Sequence, residues 1–248
     1  MLKIPFAVQH PRRMRTKGPY SGRNGPRGLL VHATAGRFNK GDQSAFKTID
    51  GGIDGGLAYL CISQPGTLVQ AHDVNEWGWH SGKSAWDVPL KRLNWKIVGR
   101  VDDDLIGCEN NCAGLLTKVG RKYYPYWAFK DKNPSTKIII DPDEDIPEDF
   151  VRFVTKDLHA CPTGYYHKFT PQQEDTLTRA IMWLYVNCPD FKLEYVLGHH
   201  EAAGVPGIGY WRKNDPGGAF SWAMPAFREY LIKNKHALIE KYGITKVT

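Results

Sequence analysis

The sequence lacks any long hydrophobic run. No stretch approaches the ~18 consecutive apolar residues that a membrane-spanning helix requires, so we expect a protein that does not span a membrane. The start of the chain also lacks the order of a secretory signal, because its apolar patch at residues 4–8 precedes the first arginines instead of following them. Export through the Sec pathway is therefore not expected.

Cysteine is scarce and is not arranged as a framework. The cysteines are odd in number, and no two of them form a C-x-x-C pair. They are Cys61, Cys108, Cys112, Cys161 and Cys188. This usage is typical of reduced thiols in a protein made in the cytosol. The one close pair, Cys108 and Cys112, does not have the spacing of a zinc knuckle, which favours ordinary half-buried residues.

Acidic residues are missing from the first 28 positions, which we call the basic arm. Its basic residues account for the whole formal net charge of +7. They are Lys3, Arg12, Arg13, Arg15, Lys17, Arg23 and Arg27. An arm of this kind, rich in proline and glycine, is expected to attract a polyanion such as an anionic envelope polymer, with a merely solubilising tail as an equal alternative. A basic arm alone is weak evidence for nucleic-acid binding, so no nucleic-acid partner is expected.

The remaining residues have the composition of an ordinary globular protein. With 248 residues, 42% hydrophobic and 24% charged, the chain can bury a core for between one and two domains. Apolar runs bounded by turn residues predict strands. These strands fall at residues 29–31, ending at His32, and at 57–62, 67–69, 105–109, 137–140 and 193–197.

Helix signals alternate with these strands. Asp42 is expected to cap a helix that the glycines at 51–56 end, and Pro147 is expected to begin a helix through residue 154. Thr170 to Gln173 is a capping box, and a last helix is expected to begin at Ser221 or Ala223. The alternation predicts an α/β fold with a single sheet.

Two histidines stand where a metal site could form. His32 and His199 each follow an apolar strand and precede a loop that contains glycine, so both could project at one edge of the sheet. Catalytic zinc takes three protein ligands and leaves one position for water. The turn at residues 212–218 offers Asp215, 16 residues after His199, as the third.

Six short motifs now carry a resemblance. They are Val31-His32, Ala58-Tyr59 before Pro65-Gly66, Trp79-His80-Ser81-Gly82, Ile106-Gly107-Cys108-Glu109, Gly198-His199-His200-Glu201 and Lys213-Asn214-Asp215-Pro216-Gly217. In their order, over about residues 29–222, they resemble the zinc N-acetylmuramoyl-L-alanine amidases of phage endolysins and bacterial wall recycling. The animal peptidoglycan recognition proteins share that fold. The resemblance implies a single central mixed β-sheet flanked by helices in residues 29–248, with an insertion at about 112–168.

The resemblance also implies roles for individual residues. It makes His32, His199 and Asp215 the ligands of Zn²⁺, and Lys213 the residue that stabilises the oxyanion. Tyr59 and Glu109 fall at two positions where family members place a proton-transfer residue, and we favour Glu109. Zinc lowers the pKa of its bound water from ~15.7 toward ~7, and a carboxylate can then take the proton of the attacking water.

Five neighbours receive weaker assignments. The resemblance places His80, Trp79 and Thr34 at the substrate, although Trp79 and His80 could simply belong to a tryptophan-rich hydrophobic loop. Glu201 is expected to orient a ligand histidine from behind, or to be a solvated loop carboxylate. His200 is expected behind the ligands or at the surface.

Two functions are therefore expected from the sequence. The first is a peptidoglycan hydrolase that cuts the amide between N-acetylmuramic acid and L-alanine of the stem peptide. We expect it to act as a phage lysin that waits in the host cytoplasm before release to the periplasm or cell wall, or that travels with the virion. The alternative is a non-catalytic peptidoglycan-binding module of the same fold, whose members commonly lack a metal-competent residue at the position of Asp215. The insertion is expected either to shape a substrate groove with its tyrosines or to enlarge the core.

Overall fold

The computed structural model describes residues 1–38, 40–82, 101–155, 161–203 and 213–247. The strands are β1 (Val8–Gln9), β2 (Gly18–Pro19), β3 (Gly28–Ala33), β4 (Leu60–Ile62), β5 (Leu68–Gln70), β6 (Glu76–Trp77), β7 (Leu105–Asn110), β8 (Leu115–Val119), β9 (Lys122–Pro125), β10 (Val151–Val154), β11 (Gly164–His167) and β12 (Val196–Gly198). The α-helices are α1 (Gln43–Asp54), α2 (Pro171–Asn187), α3 (His199–Ala203) and α4 (Met224–Lys241). None of these helices is both long and apolar enough to cross a membrane.

A six-stranded mixed sheet forms the centre of the fold. Its strand order is β1-β5-β4-β7-β3-β12. Strands β4 and β5 are antiparallel, while β3 runs parallel to β7 on one side and to β12 on the other. The central mixed sheet flanked by helices is confirmed. It places the carboxyl ends of β3, β7 and β12 next to one another.

The two faces of the central sheet have different neighbours because side chains alternate along each strand. On one face, Leu29 and Val31 of β3 pack in a large core with α2 and α4. On the other face, Ala45 and Ile49 of α1 pack over Cys61 and its neighbours. His32 alternates with Val31, so its side chain projects from the face opposite the large core.

Residues 112–168 build a second sheet that the sequence did not predict. It is four-stranded and antiparallel, in the order β10-β11-β8-β9. The helix expected from Pro147 is wrong, because a 3-10 turn at Glu148–Phe150 leads directly into β10. The residues of β10 are valines, an arginine and a phenylalanine, and β-branched and aromatic side chains favour a strand once a partner strand is beside it.

Two other local predictions also fail. The strand expected at residues 137–140 is wrong, because only Ile139 forms a bridge, to Phe129, while Ile138 and Ile140 lie exposed. The helix expected at Asp42 is present as α1, but the Asp42 carboxylate does not cap it. Instead it accepts a hydrogen bond from the Ser63 hydroxyl.

The basic arm packs against the rest of the protein. Strand β1 pairs in parallel with β5 at the edge of the central sheet, and Ile4, Met14 and Tyr20 are buried. Arg12 forms ion pairs with Asp50 and Asp54 of α1. Part of the arm's positive charge is therefore balanced by acids elsewhere in the chain.

Candidate metal centre

Three side chains from distant parts of the chain converge at the edge of the central sheet. His32 lies near the end of β3, His199 begins α3 directly after β12, and Asp215 lies in the turn before α4. Their ligand atoms all lie within 4.8 Å of one another. The Nδ1 atoms of His32 and His199 are 2.9 Å apart, and Asp215 Oδ2 is 3.1 Å from the second and 3.5 Å from the first. The structure thus brings together the three ligands that the sequence proposes.

Hydrogen bonds on the far side of each ring determine which nitrogen carries the proton. Nε2 of His199 lies 3.0 Å from the carbonyl oxygen of Ser81. Since a carbonyl oxygen only accepts hydrogen bonds, this Nε2 carries the proton. Nδ1 of His199 is then left with a lone pair that points at the cluster.

His32 also carries its proton on Nε2, and His80 determines this. Nε2 of His80 lies 3.0 Å from the carbonyl oxygen of Leu105, so it carries the proton of that ring. Burial lowers the pKa of His80, which keeps the ring neutral and leaves its Nδ1 as an acceptor. That Nδ1 lies 3.1 Å from Nε2 of His32, which therefore donates to it. Nδ1 of His32 also faces the cluster with a lone pair.

Two lone pairs and a carboxylate oxygen thus face one another in a buried place. Burial lowers the pKa of His32 to about 3, so its ring is neutral at neutral pH. Burial by itself would raise the pKa of Asp215, and only a positive charge beside the carboxylate, from protonated imidazoles or from a cation in their place, holds that pKa well below its usual range. Electron-rich atoms this close repel one another unless a cation lies between them, and two imidazoles with one carboxylate are a donor set that zinc accepts. The residues present therefore fit Zn²⁺.

Backbone contacts hold Asp215 against the strands. Both the backbone N–H of His200 and its Nδ1 lie within hydrogen-bond distance of the Asp215 carbonyl oxygen, at 2.8 and 3.1 Å. The backbone N–H of Ala33, next to His32, donates to Asp215 Oδ2. His200 thus acts on the third ligand through the main chain. Arg212, the first residue of the predicted turn, lies outside the described residues.

Glu109 lies beside the cluster of His32, His199 and Asp215. It is the direct register partner of His32 across β3 and β7, and its Oε1 lies 4.0 Å from His32 Nδ1. Burial, followed by the negative charge of Asp215, raises the pKa of Glu109 to about 8, while Lys213 opposes that rise. Among the described residues, the buried Oε2 of Glu109 has no hydrogen-bond partner. This carboxyl group is placed to exchange a proton with a molecule held at the cluster.

Tyr59 and Lys213 occupy different surroundings. The Tyr59 hydroxyl donates to the carbonyl oxygen of Thr48 in α1, and burial raises its pKa. Its proton is therefore engaged with α1. Lys213 is half-buried and close enough to Glu109 for its charge to act on the pKa of that carboxyl group.

The three residues expected at the substrate each contact other parts of the protein, and their contact with substrate stays a prediction. The His80 side chain is only 1% exposed, and its Nδ1 lies against Nε2 of His32. The Thr34 hydroxyl donates to the carbonyl oxygen of Cys112 and ties two loops together. Trp79 packs edge-on against Trp77, under the ammonium group of Lys17.

Glu201 secures the backbone that leads into His199. One of its oxygens accepts the backbone N–H of Gly198, and both accept from the guanidinium group of Arg228 in α4, at 2.7 and 2.8 Å. The carboxylate thus joins β12, α3 and α4. It orients His199 through the main chain, without touching the imidazole in the contacts described.

Two residues that support the histidines have no role predicted from the sequence, although one of them, Ser81, lies in a quoted motif. Ser81 supplies the carbonyl oxygen that binds His199, and Asp102 is 1% exposed with backbone N–H groups of two residues donating to it. Asp102 begins a run of three aspartates that resembles a solvated turn. The available signal is the position of this aspartate run before the apolar strand β7.

The fold and the cluster together define an α/β protein in which two buried histidines and a half-buried aspartate form a donor set suited to a metal ion such as zinc. No protein-family model matches the sequence, and no curated protein matches it. Solved structures of similar fold include the N-acetylmuramyl-L-alanine amidase AmiD from E. coli, in complex with anhydro-N-acetylmuramic acid-L-Ala-D-gamma-Glu-L-Lys. It is 19% identical with a TM-score of 0.48, and the match covers 84% of this chain and 59% of AmiD.

Two further similar structures cover nearly all of this chain. The endolysin amidase LysCS from Clostridium intestinale URNW is 13% identical with a TM-score of 0.43, and 98% of this chain and 99% of that one are covered. AmpDH3 from Pseudomonas aeruginosa, in complex with anhydromuramic pentapeptide, is 16% identical with a TM-score of 0.46. That match covers 99% of this chain and 76% of AmpDH3.

Proposed function

We propose that this protein is a zinc-dependent N-acetylmuramoyl-L-alanine amidase. It hydrolyses the amide bond between the lactyl group of N-acetylmuramic acid and L-alanine of the peptidoglycan stem peptide. The observation that carries the proposal is the convergence of the lone pairs of His32 and His199 with the Asp215 carboxylate, with Glu109 beside them. The choice of peptidoglycan as substrate is supported by the ordered motifs in the sequence.

Each residue of the centre has a part in this chemistry. His32, His199 and Asp215 would hold zinc, which supplies a polarised, acidic water and a positive charge near the scissile carbonyl. Burial keeps Glu109 mostly protonated when no cation is near, and the positive charge of a bound metal would favour its carboxylate form. As a carboxylate, Glu109 takes the proton of the attacking water with its unpaired oxygen and returns it to the leaving nitrogen. Lys213 holds the negative charge that develops on the carbonyl oxygen.

The alternative function is a peptidoglycan-binding module without catalysis. Such a module needs neither a third ligand nor a buried carboxyl group beside the cluster. Asp215 and Glu109 are both present, and both are held by the fold. This pair favours the enzyme.

Mass spectrometry of digested peptidoglycan tests the proposal. Purified sacculi are incubated with the protein, with and without a chelator. The expected products are free stem peptides with a new N-terminal alanine, in the untreated sample only. New reducing sugar ends would identify a glycosidase instead, and sacculi that bind the protein without any product would support the binding module.

Two substitutions separate metal binding from proton transfer. Glu109→Gln is expected to keep stoichiometric zinc and to lower kcat by roughly 10²–10⁴-fold, because only the proton acceptor is lost. His199→Ala is expected to lose both zinc and activity. Glu148→Gln, at an exposed position in the second sheet region, is the matched control and should behave as wild type. A Glu109→Gln variant with full activity would contradict the assigned role.

The biological setting is proposed from the resemblance alone. We propose that the protein is a phage lysin, held in the host cytoplasm until release to the wall or carried by the virion. Expression together with a hole-forming membrane protein should lyse the host, while expression alone should not. Detection of the protein in purified virions would support the second route.

A further inference from the structure

The hydrogen bonds that orient the two ligand histidines are both made to one short segment. His32 donates from Nε2 to the His80 side chain, and His199 donates from Nε2 to the Ser81 carbonyl oxygen. His80 and Ser81 are consecutive residues. A displacement of this dipeptide would therefore change the orientation of both ligands together.

One buried carboxylate holds the dipeptide. Oδ1 of Asp102 accepts the backbone N–H of His80 and the backbone N–H of Ser81, both at 2.8 Å. The same oxygen lies 3.6 Å from Nε2 of His80. Asp102 lies in the 3-10 turn at Val101–Asp103, shortly before the strand that carries Glu109, and its side chain is buried.

We propose that Asp102 is a positioning residue that fixes both ligand histidines through the His80-Ser81 backbone. By holding this dipeptide, Asp102 keeps in place the two acceptors, the His80 ring for His32 and the Ser81 carbonyl oxygen for His199. Each ligand histidine then keeps its proton on Nε2 and directs the lone pair of its Nδ1 at the metal. The inference rests on the proposed metal centre and adds a residue that the motifs do not assign. Partners of this type commonly change metal affinity by about 10–100-fold when they are removed.

Zinc affinity of three Asp102 variants tests the inference, measured by competition with a chromophoric chelator. Asp102→Ala is expected to weaken zinc binding by about 10–100-fold. Asp102→Asn keeps an acceptor oxygen in the same place and is expected to bind zinc within a few-fold of wild type. Asp102→Glu keeps the charge but moves the oxygens by one methylene group, and is expected to weaken binding.

Asp73 provides the matched control. Its Oδ1 also accepts two backbone N–H groups, from Leu2 and Asn75, so Asp73→Ala removes an equivalent acceptor elsewhere. Both alanine variants should lower the unfolding temperature of the chelator-treated protein. Only Asp102→Ala should weaken zinc binding.

Nitrogen NMR of the full-length, chelator-treated protein supplies a readout that general destabilisation does not move. Correlations between ring nitrogens and ring protons should show His32 and His199 protonated at Nε2 in wild type and in Asp102→Asn. In Asp102→Ala both rings should become mixtures of the two tautomers. If Asp102→Ala does not fold, the contrast between the asparagine and glutamate variants decides the question.

The outcomes separate this inference from the proposed function. If wild type binds zinc and cleaves sacculi while Asp102→Ala and Asp102→Glu match its zinc affinity and its tautomers, the inference alone is overturned. If wild type binds no zinc, the proposed function and the inference fall together.

Discussion

At the scale of a single residue, Gly107 in the motif that contains Glu109 leaves room for a neighbouring side chain. A Cβ atom at this position would lie 2.7 Å from Cγ and Nδ1 of His80, and real Cβ atoms do not approach other atoms so closely. The His80 ring, behind His32, occupies the space that a side chain at position 107 would fill. The glycine is therefore required by a neighbouring ring and not by the backbone conformation of β7.

Gly107→Ala is expected to displace His80 and weaken zinc binding by about 10-fold, because His32 loses its acceptor. Chelator competition measures the affinity. Gly51→Ala is the matched control, since a Cβ there meets no atom within 4 Å and the glycine lies inside helix α1. The control should bind zinc normally and gain up to about 1 kcal/mol of stability from helix propensity. Normal zinc affinity in Gly107→Ala would show that His80 does not orient His32.

His167 is a buried histidine outside the metal centre. Its Nδ1 accepts the backbone N–H of Ala113, and its ring packs near Phe38 and Phe150. Burial lowers its pKa to about 4, so the folded protein holds the ring neutral at pH values where the unfolded chain protonates it. This difference makes the stability of the fold depend on pH.

The sign follows from proton binding. Between pH 6.5 and 4 the unfolded state binds more protons at this residue, so the free energy of unfolding falls as the pH falls. From pH 7 to 5 the loss due to His167 is expected to be about 2 kcal/mol. Urea unfolding with chelator present measures it. His167→Asn should show a smaller loss over this range, and His236→Asn, at an exposed position, should show the wild-type loss. Equal losses in all three proteins would contradict the prediction.

The principal residues of the centre could be predicted from the sequence, whereas their supports could not. His32, His199 and Glu109 each follow or end an apolar strand within a motif, and Asp215 lies in a motif rich in turn residues, which makes all four visible. The burial of Asp102 depends on where residues 80 and 81 pass in the folded chain. No local sequence pattern indicates this contact between distant segments, so a buried aspartate and a solvated one look alike in the sequence.

At the scale of elements, helix α2 shows how local chemistry defines a boundary. The Thr170 hydroxyl oxygen accepts the backbone N–H of Gln173, and the Gln173 side chain accepts the backbone N–H of Thr170. The Thr170 hydroxyl also donates to the carbonyl oxygen of Gln64. The capping box therefore joins the start of α2 to the hairpin of β4 and β5.

Thr170→Ala is expected to lower the free energy of unfolding by about 1–2 kcal/mol, because the cap and the bond to Gln64 are both lost. Thr170→Ser keeps the hydroxyl group and should lose less than half as much. Chemical denaturation monitored by circular dichroism provides both values. Equal stability of the alanine and serine variants would show that the cap contributes nothing.

Elements with strong local signals were predicted and those that depend on distant partners were not. The capping box predicts α2 and the apolar run predicts β3, and both are confirmed. Strand β10 was predicted as a helix because Pro147 and the spacing of Phe150 and Val154 suit one. Its pairing with β11 decides the outcome, and pairing between segments is invisible to local propensity.

At the scale of the whole molecule, the basic arm is both part of the fold and a source of positive charge. Arg12 and Arg23 are bound to acids of the body, while Lys3, Arg15 and Lys17 are exposed. Removal of residues 1–28 would remove β1 and the buried Ile4 as well as the charge. A deletion therefore cannot test the proposed binding of anionic polymers cleanly.

Substitution of the three exposed arm residues by glutamine is expected to weaken binding to an anionic envelope polymer and to reduce the dependence of that binding on salt. Sedimentation with purified polymer at several salt concentrations measures both. A triple glutamine variant of the exposed Lys130, Lys132 and Lys137 has the same net charge and is the control. Equal weakening in both variants would assign the attraction to net charge and not to the arm.

The order of the ligands along the chain has a consequence for synthesis. The first metal ligand lies at residue 32 and the third at residue 215, and β3 needs β12 beside it to complete its part of the sheet. A nascent chain on the ribosome therefore carries no complete cluster until residue 215 has emerged. Translation itself delays assembly of the cluster, and fragments from synthesis interrupted before that residue lack one of its three side chains.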